Sequence, residues 1–248
     1  MYFCRYFLIK RKENMRINIL LCDTFPGLLP DYIPSYTSMF EKLFTSVSQE
    51  VELSEYRVLD GVFPTTIDPD AIYLITGCNK ASYDNDDWIV KLRHWVVDAM
   101  EKHAKLVGIC FGHQVIAMAL GGKTERYADG WGTGIRSSQI IDEDMKSHFG
   151  SDDIRLLYNH HDQVVQLPSG ATPLASSSFC QFEGFRIGDK VLTFQGHPEY
   201  TPEYAIHLLE NHADGEDPEV CRKALESIGL WQHQGGKAAE FILKTLTK

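Results

Sequence analysis

Gly108-Ile109-Cys110-Phe111-Gly112-His113-Gln114 sets a cysteine between two glycines. A short, mostly apolar run, Ala104 to Val107, precedes it, and Val115-Ile116-Ala117-Met118-Ala119-Leu120 follows. That order predicts strand, sharp turn and helix, with Cys110 at the apex. A turn so tight needs residues without a Cβ on either side of the reactive one. A thiol there stands clear of the sheet at the start of a helix, whose dipole favours the thiolate. The chemistry this points to is nucleophilic attack by Cys110.

A nucleophilic cysteine needs a base, and the base needs an orienting partner. Of ten histidines in the chain, His197 is the best placed. Val191-Leu192-Thr193-Phe194-Gln195 reads as a strand, and Gly196-His197-Pro198-Glu199-Tyr200 follows at its end. Open α/β sheets place reactive groups beyond the carboxyl ends of their strands. Glu199 can accept a hydrogen bond from one imidazole nitrogen and leave the other facing the thiol.

The elements that must position these groups alternate along the first half. Strands are expected over Arg16 to Cys22, Val51 to Val58 and Ala71 to Thr76. Asp23 to Pro34, with three prolines, is expected to be loop. Helices are expected over Tyr36 to Ser46, with Met39, Phe40, Leu43 and Phe44 on one face, and over Asp86 to His103, with Trp88, Leu92, Trp95, Val96 and Ala99 recurring. Asp84-Asn85-Asp86-Asp87 should supply the second helix with an N-cap. Such alternation predicts an α/β fold of three layers, a mostly parallel central sheet flanked by helices. Gly134–Ile141, Ile154–Tyr158, Thr172–Ser177, Phe182–Ile187 and Lys190–Gln195 read as short strands of a smaller antiparallel portion, and residues from Pro202 onward as helices. No linker or repeat divides the chain, so residues 15–248 are expected to form one domain with a helical tail. Residues 1–14, aromatic and then basic, are expected to be an extension ahead of it, since a secretory signal has the reverse order.

Among 248 residues the formal net charge is -10. An acidic chain argues against nucleic acid or anionic membrane as the main partner. No apolar run approaches the roughly 18 residues of a membrane span. The six cysteines, Cys4, Cys22, Cys78, Cys110, Cys180 and Cys221, form no C-x-x-C pair. Zinc is therefore not expected, and a reducing, cytoplasmic setting is. His160-His161-Asp162 has no further ligand spaced to complete a metal site. Gly121-Gly122-Lys123-Thr124 follows a helix and lacks the first glycine of a phosphate loop. The Asp129-to-Gly134 stretch (DGWGTG) reads as a turn or a substrate-facing loop.

The G-x-C-x-G-H-Q elbow with the later Gly196-His197-Pro198-Glu199 resembles the class I, triad-type glutamine amidotransferase family, over roughly Arg16 to Tyr200. The resemblance implies Cys110 as nucleophile, His197 as general base and acid, and Glu199 as its orienting group. It implies cleavage of a γ-glutamyl C–N bond through a γ-glutamyl thioester. The oxyanion donors would be backbone N–H groups of Phe111 and of the loop after the third strand, Gly77 and Cys78. Gln114 and the stretch holding Asn159, His161 and Asp162 look like the family's substrate contacts. No cofactor is implied.

Where synthetase-linked members carry Gly-Gly-Pro, this chain has Gly77-Cys78-Asn79. That looks more like the stand-alone members, including γ-glutamyl peptidases and GMP-synthase-like amidotransferases. The small-molecule substrate is then glutamine, its ammonia passing to a separate synthetase, or a γ-glutamyl peptide. A non-catalytic binding protein of the same fold is a further reading, against which the intact Cys-His-Glu set argues. PfpI-like proteases share the elbow but lack the carboxylate placement of Glu199.

Overall fold

The computed structural model describes residues 15–128, 130–211 and 217–247. The extension expected at residues 1–14 and the start of the tail at Glu216 lie outside the described residues. The chain runs through β1 (Met15–Leu20), α1 (Tyr36–Val47), β2 (Val51–Tyr56), β3 (Ile72–Ile75), α2 (Asp87–Glu101), β4 (Lys105–Ile109) and α3 (Phe111–Ala119). It continues with β5 (Lys123–Arg126), β6 (Gly132–Ile140), α4 (Glu143–Phe149), β7 (Asp153–His160), β8 (Asp162–Gln166), β9 (Thr172–Ser176), β10 (Gly184–Ile187) and β11 (Val191–Phe194). Helices α5 (Pro202–Asn211), α6 (Pro218–Leu230) and α7 (Gly235–Leu246) follow.

Nine strands form one sheet in the order β2-β1-β3-β4-β11-β10-β9-β6-β7. The half from β2 to β11 is parallel throughout. From β10 to β7 every pairing is antiparallel, and β5 pairs with β8 in a separate antiparallel ribbon. The central strands β3 and β11 are buried along their whole length, as strands covered on both faces must be. One apolar cluster joins α1 and α7 to one face through Phe40, Phe44, Phe241 and Ile242. A second joins α2 and α3 to the other through Leu92, Val96, Val115 and Ile116.

Helix α1 begins where expected because Ser35 and Ser38 form a reciprocal capping box. Its face of Met39, Phe40, Leu43 and Phe44 is buried. The start of α2 differs from expectation. Asp86 is its N-cap residue but makes no capping bond; its carboxylate instead meets Lys80 at 3.2 Å. Strands β5 and β8 and helix α4 were not expected, being short and polar with little periodicity. Among the described residues no helix is long and apolar enough to cross a membrane.

The register brings the reactive residues together. Ile75 lies opposite Gly108, and Ile109 opposite Phe194, in parallel pairing. The loops leaving β3, β4 and β11 therefore emerge side by side from one edge of the sheet.

Candidate active site

Cys110 stands between β4 and α3 with φ 51° and ψ -103°. A non-glycine residue in this region costs about 1–3 kcal/mol and persists only where the surroundings enforce it. The enforcement comes from both sides. The Cys110 N–H continues the sheet by donating to the Phe194 carbonyl at 2.8 Å. A Cβ on Gly112 would lie 2.1 Å from the Ile75 carbonyl oxygen, and one on Gly108 would lie 2.6 Å from the Gly112 backbone. Both elbow glycines are thus demanded by close backbone approach. The thiol sits at the apex between β4 and α3, where it is enclosed: Cys110 is only 6% exposed and joins the apolar cluster of the core.

His197 follows β11, and its N–H donates to the Leu157 carbonyl at 2.7 Å. Its Nδ1 lies 2.7 Å from Glu199 Oε1, and both side chains are buried. The ring of Tyr200 stacks on the imidazole at 3.9 Å. Nε2 is left buried without a partner in hydrogen-bond geometry, and the Cys110 side chain adjoins it. Reactive pairs are often loose before substrate binds. Burial lowers the imidazole pKa, but the charges of Glu199 and Cys110 outweigh it and raise it to about 10. The arrangement therefore favours an imidazolium facing sulfur.

Glu199 is held by a residue the sequence did not single out. The Tyr36 hydroxyl donates to Glu199 Oε1 at 2.7 Å and accepts from the Gly77 N–H at 3.2 Å. One phenol thus ties the orienting carboxylate to the loop after β3. The only signal was Tyr36 opening a helix after Pro34-Ser35, which says nothing of a contact 163 residues away.

This bond corrects the expectation for Gly77, whose N–H faces the scaffold and not the reacting carbon. A Cβ there would lie 2.8 Å from the Tyr36 hydroxyl and 3.0 Å from the His197 ring. Cys78, one residue on, lines the pocket with Cys110. Burial pushes the Cys78 thiol pKa up, which keeps it protonated and inert. Phe111 is the first residue of α3, where backbone N–H groups have no helical acceptor.

Cys110 lines a cavity of about 220 Å³ that gathers Gln114, Asn159, His161 and Asp162, and also His160, Tyr83, Arg126 and Trp131. Gln114 donates its amide nitrogen to the Asp162 carbonyl at 2.8 Å and to Gln195 Oε1 at 3.1 Å. Asn159 and His160 close β7, His161 forms the bend and Asp162 opens β8. His160 is the more buried of the two histidines. Burial first of all lowers its pKa to about 3, which keeps it neutral. His161 accepts from Arg126 Nε at 3.4 Å, and Trp131 packs edge-on to it at 5.4 Å. The His161–Asp162 pair, 4.0 Å apart, is too long for a hydrogen bond. Trp131 could have been found in the glycine-alternating stretch read as substrate-facing; Arg126 and Tyr83 carried no signal. Among the described residues no three His, Cys, Asp or Glu side chains group as metal ligands.

The family model for glutamine amidotransferase class-I matches residues 28–214. The chain is 34% identical over 213 residues to gamma-glutamyl peptidase 3 of Arabidopsis thaliana, covering 82% of this chain and 83% of that one. It is 30% identical over 125 residues to a glutamine-hydrolyzing GMP synthase subunit of Archaeoglobus fulgidus, covering 50% of this chain and 65% of that one. A solved glutamine amidotransferase from Thermotoga maritima superposes with a TM-score of 0.72 at 18% identity, over 94% of this chain and 96% of that one.

Proposed function

The chain belongs to the class I glutamine amidotransferase family, and on that premise we propose that it hydrolyses γ-glutamyl C–N bonds through Cys110, His197 and Glu199. The observation that carries this reading is the buried His197–Glu199 contact of 2.7 Å beside a cysteine held at φ 51°. A protein that only binds has no use for backbone strain at a thiol paired with an oriented imidazole, which counts against the non-catalytic reading.

Sγ of Cys110, as thiolate, attacks the γ-carbonyl carbon, and the carbonyl electrons move onto oxygen. The N–H groups of Phe111 and Cys78 hold that oxyanion. The intermediate collapses as the C–N bond breaks, and the leaving nitrogen takes the proton from His197 Nε2. The γ-glutamyl thioester remains. Water then gives one proton to the same nitrogen, attacks the thioester and releases the γ-carboxylic acid and Cys110. Glu199 holds Nδ1–H throughout, so that Nε2 is the nitrogen that trades the proton. Gln114, Asn159, His161 and Asp162 hold the α-amino and α-carboxyl ends. Because the Gln114 amide nitrogen is engaged, its contact with substrate falls to its oxygen.

A γ-glutamyl peptide is the substrate favoured here. The similarity to a gamma-glutamyl peptidase over four-fifths of both chains supports it. Glutamine, with ammonia passed to a separate synthetase, is the second reading. The family model and the similarity to a GMP synthase component favour that one. Cys22, Cys78, Cys110 and Cys180 are free thiols, which supports a reducing, cytoplasmic setting.

Mass spectrometry of products after incubation with glutamine and with γ-glutamyl dipeptides tests both readings. Free glutamate with a released amino acid supports the peptidase, and glutamate from glutamine alone supports the amidotransferase. Cys110→Ala should abolish both activities. Turnover that survives this change would overturn the mechanism.

A further inference from the structure

A second cavity, of about 430 Å³, adjoins the catalytic one. Trp131 lines both, so one indole separates the two spaces. The cavity lies where the sheet opens. Strand β9 pairs with β6 only at Gln139 and Ile140, which leaves the earlier part of β6 without a neighbour on that side. Helix α6 and the turn after β9 wall the gap. Helix α6 approaches so closely that a Cβ on Gly134 would lie 2.6 Å from Ser227 Oγ.

Three features give this cavity a chemical character. Arg136 projects into it, stacked at 3.9 Å over the ring of Phe179. Stacking occupies the flat face of a guanidinium and leaves its N–H edge for an anion. Among the described residues no carboxylate lies within salt-bridge distance of Arg136. The carboxyl group its charge reaches, Glu183, is buried, accepts from Ser177 at 2.6 Å, and has its pKa raised by burial. By contrast Lys223, also on the wall, is paired with Glu219 at 3.4 Å. Finally, Trp131 and Trp231 stand at the rim 39% and 42% exposed. Exposed indoles beside a cavity are the usual means of holding an apolar ligand body.

The catalytic cavity alone, about 220 Å³, is smaller than the roughly 300–1,000 Å³ of typical ligand sites. It suits the γ-glutamyl half of a substrate. The other half, attached to the nitrogen that leaves, must lie next to it. We propose that the second cavity is the leaving-group subsite, and that it takes an amino acid or peptide amine with a free carboxylate on Arg136 and an apolar or aromatic side chain between the two indoles. This rests on the γ-glutamyl hydrolase reading. It adds Arg136 as the residue that distinguishes a peptide leaving group from ammonia, which has nothing for it to bind.

Calorimetry in a Cys110→Ala background tests the subsite apart from the chemistry, with γ-glutamyl-phenylalanine and its C-terminal amide as probes. The acid should bind at least about tenfold more tightly, the low end of what a hydrogen bond to a charged group contributes. Arg136→Gln should erase that ratio, and Arg136→Lys should retain part of it. Equal binding of acid and amide to the single variant would overturn the subsite, whatever becomes of the double variants. If the preference holds while the unaltered enzyme releases no phenylalanine from the acid, the cavity stands as a carboxylate-binding site and the peptidase reading fails.

Discussion

Glu199 Oε1 receives two hydrogen bonds, from His197 Nδ1 and from Tyr36, each 2.7 Å. The carboxylate is therefore fixed from two sides, and the two neighbours have separable effects. In Glu199→Gln the charge that raises the His197 pKa is lost while the shape remains. The imidazolium must stay protonated to give its proton to the leaving nitrogen, so kcat/KM should fall as pH rises through about 10. The variant should move that alkaline limb at least a unit lower and reduce kcat on the order of 10²- to 10⁴-fold. An unmoved limb in the pH–rate profile would mean that Glu199 does not set the charge on His197. Tyr36→Phe keeps the ring packed on Phe25 and Phe40 but frees the Gly77 N–H and one face of the carboxylate. A loss of about 1–3 kcal/mol in stability is expected from the buried group left unpaired, read by urea denaturation, with a smaller fall in kcat than Glu199→Gln gives. Cys110, His197 and Glu199, the proposed triad, were legible as candidates because each sits in a short contiguous motif beside a strand end. Tyr36 was not, because a tertiary hydrogen bond leaves no mark on local pattern.

The elbow is an agreement among β3, β4 and α3 at the scale of elements. Gly112 touches the carbonyl of Ile75 at the last residue of β3, so the turn that carries Cys110 also spaces the strand that leads to Cys78. In Gly112→Ala the added methyl meets backbone, which cannot rotate away. A destabilisation of about 3 kcal/mol is expected, with kcat lowered even in the fraction that folds, because β3 and its loop must shift. Gly236→Ala is the matched control. Its Cβ would meet nothing within 4 Å in the first turn of α7, so it should be neutral or stabilising by up to about 1 kcal/mol. Equal melting temperatures for the two variants would refute the close-approach account. The central parallel strands β3, β4 and β11 were readable because burial makes them continuous apolar runs, and β2 because it alternates. Strands β5 (KTER) and β8 (DQVVQ) were not, since each is made a strand by the other and by nothing in its own sequence.

Over the whole molecule, three buried histidines make stability depend on pH in opposite directions. Burial lowers the pKa of His113 and His160 to about 3. Between that value and the ordinary 6.5 the unfolded chain binds protons that the native state refuses, so stability falls as pH drops below 6.5. Each fully neutral buried histidine contributes a slope of about 1.4 kcal/mol per pH unit there. His197 behaves in reverse, because Glu199 and Cys110 hold its proton more tightly than water does. Its contribution is complete below 6.5 and is lost as pH rises from there to about 10. Stability measured by urea denaturation should therefore peak near pH 6.5 and decline on both sides, well before the carboxylates titrate. His113 contacts Thr193 at 2.8 Å and no residue of the reaction, so His113→Gln separates the two limbs. The variant should be less stable at pH 6.5, yet lose stability more gently between 6.5 and 5 and keep the alkaline decline. A variant whose acid limb is as steep as the parent's would show that His113 does not remain neutral in the folded chain. If the alkaline decline were also absent from the parent, the native state would not hold a proton on His197, and the imidazolium beside Cys110 on which the chemistry depends would be lost with it.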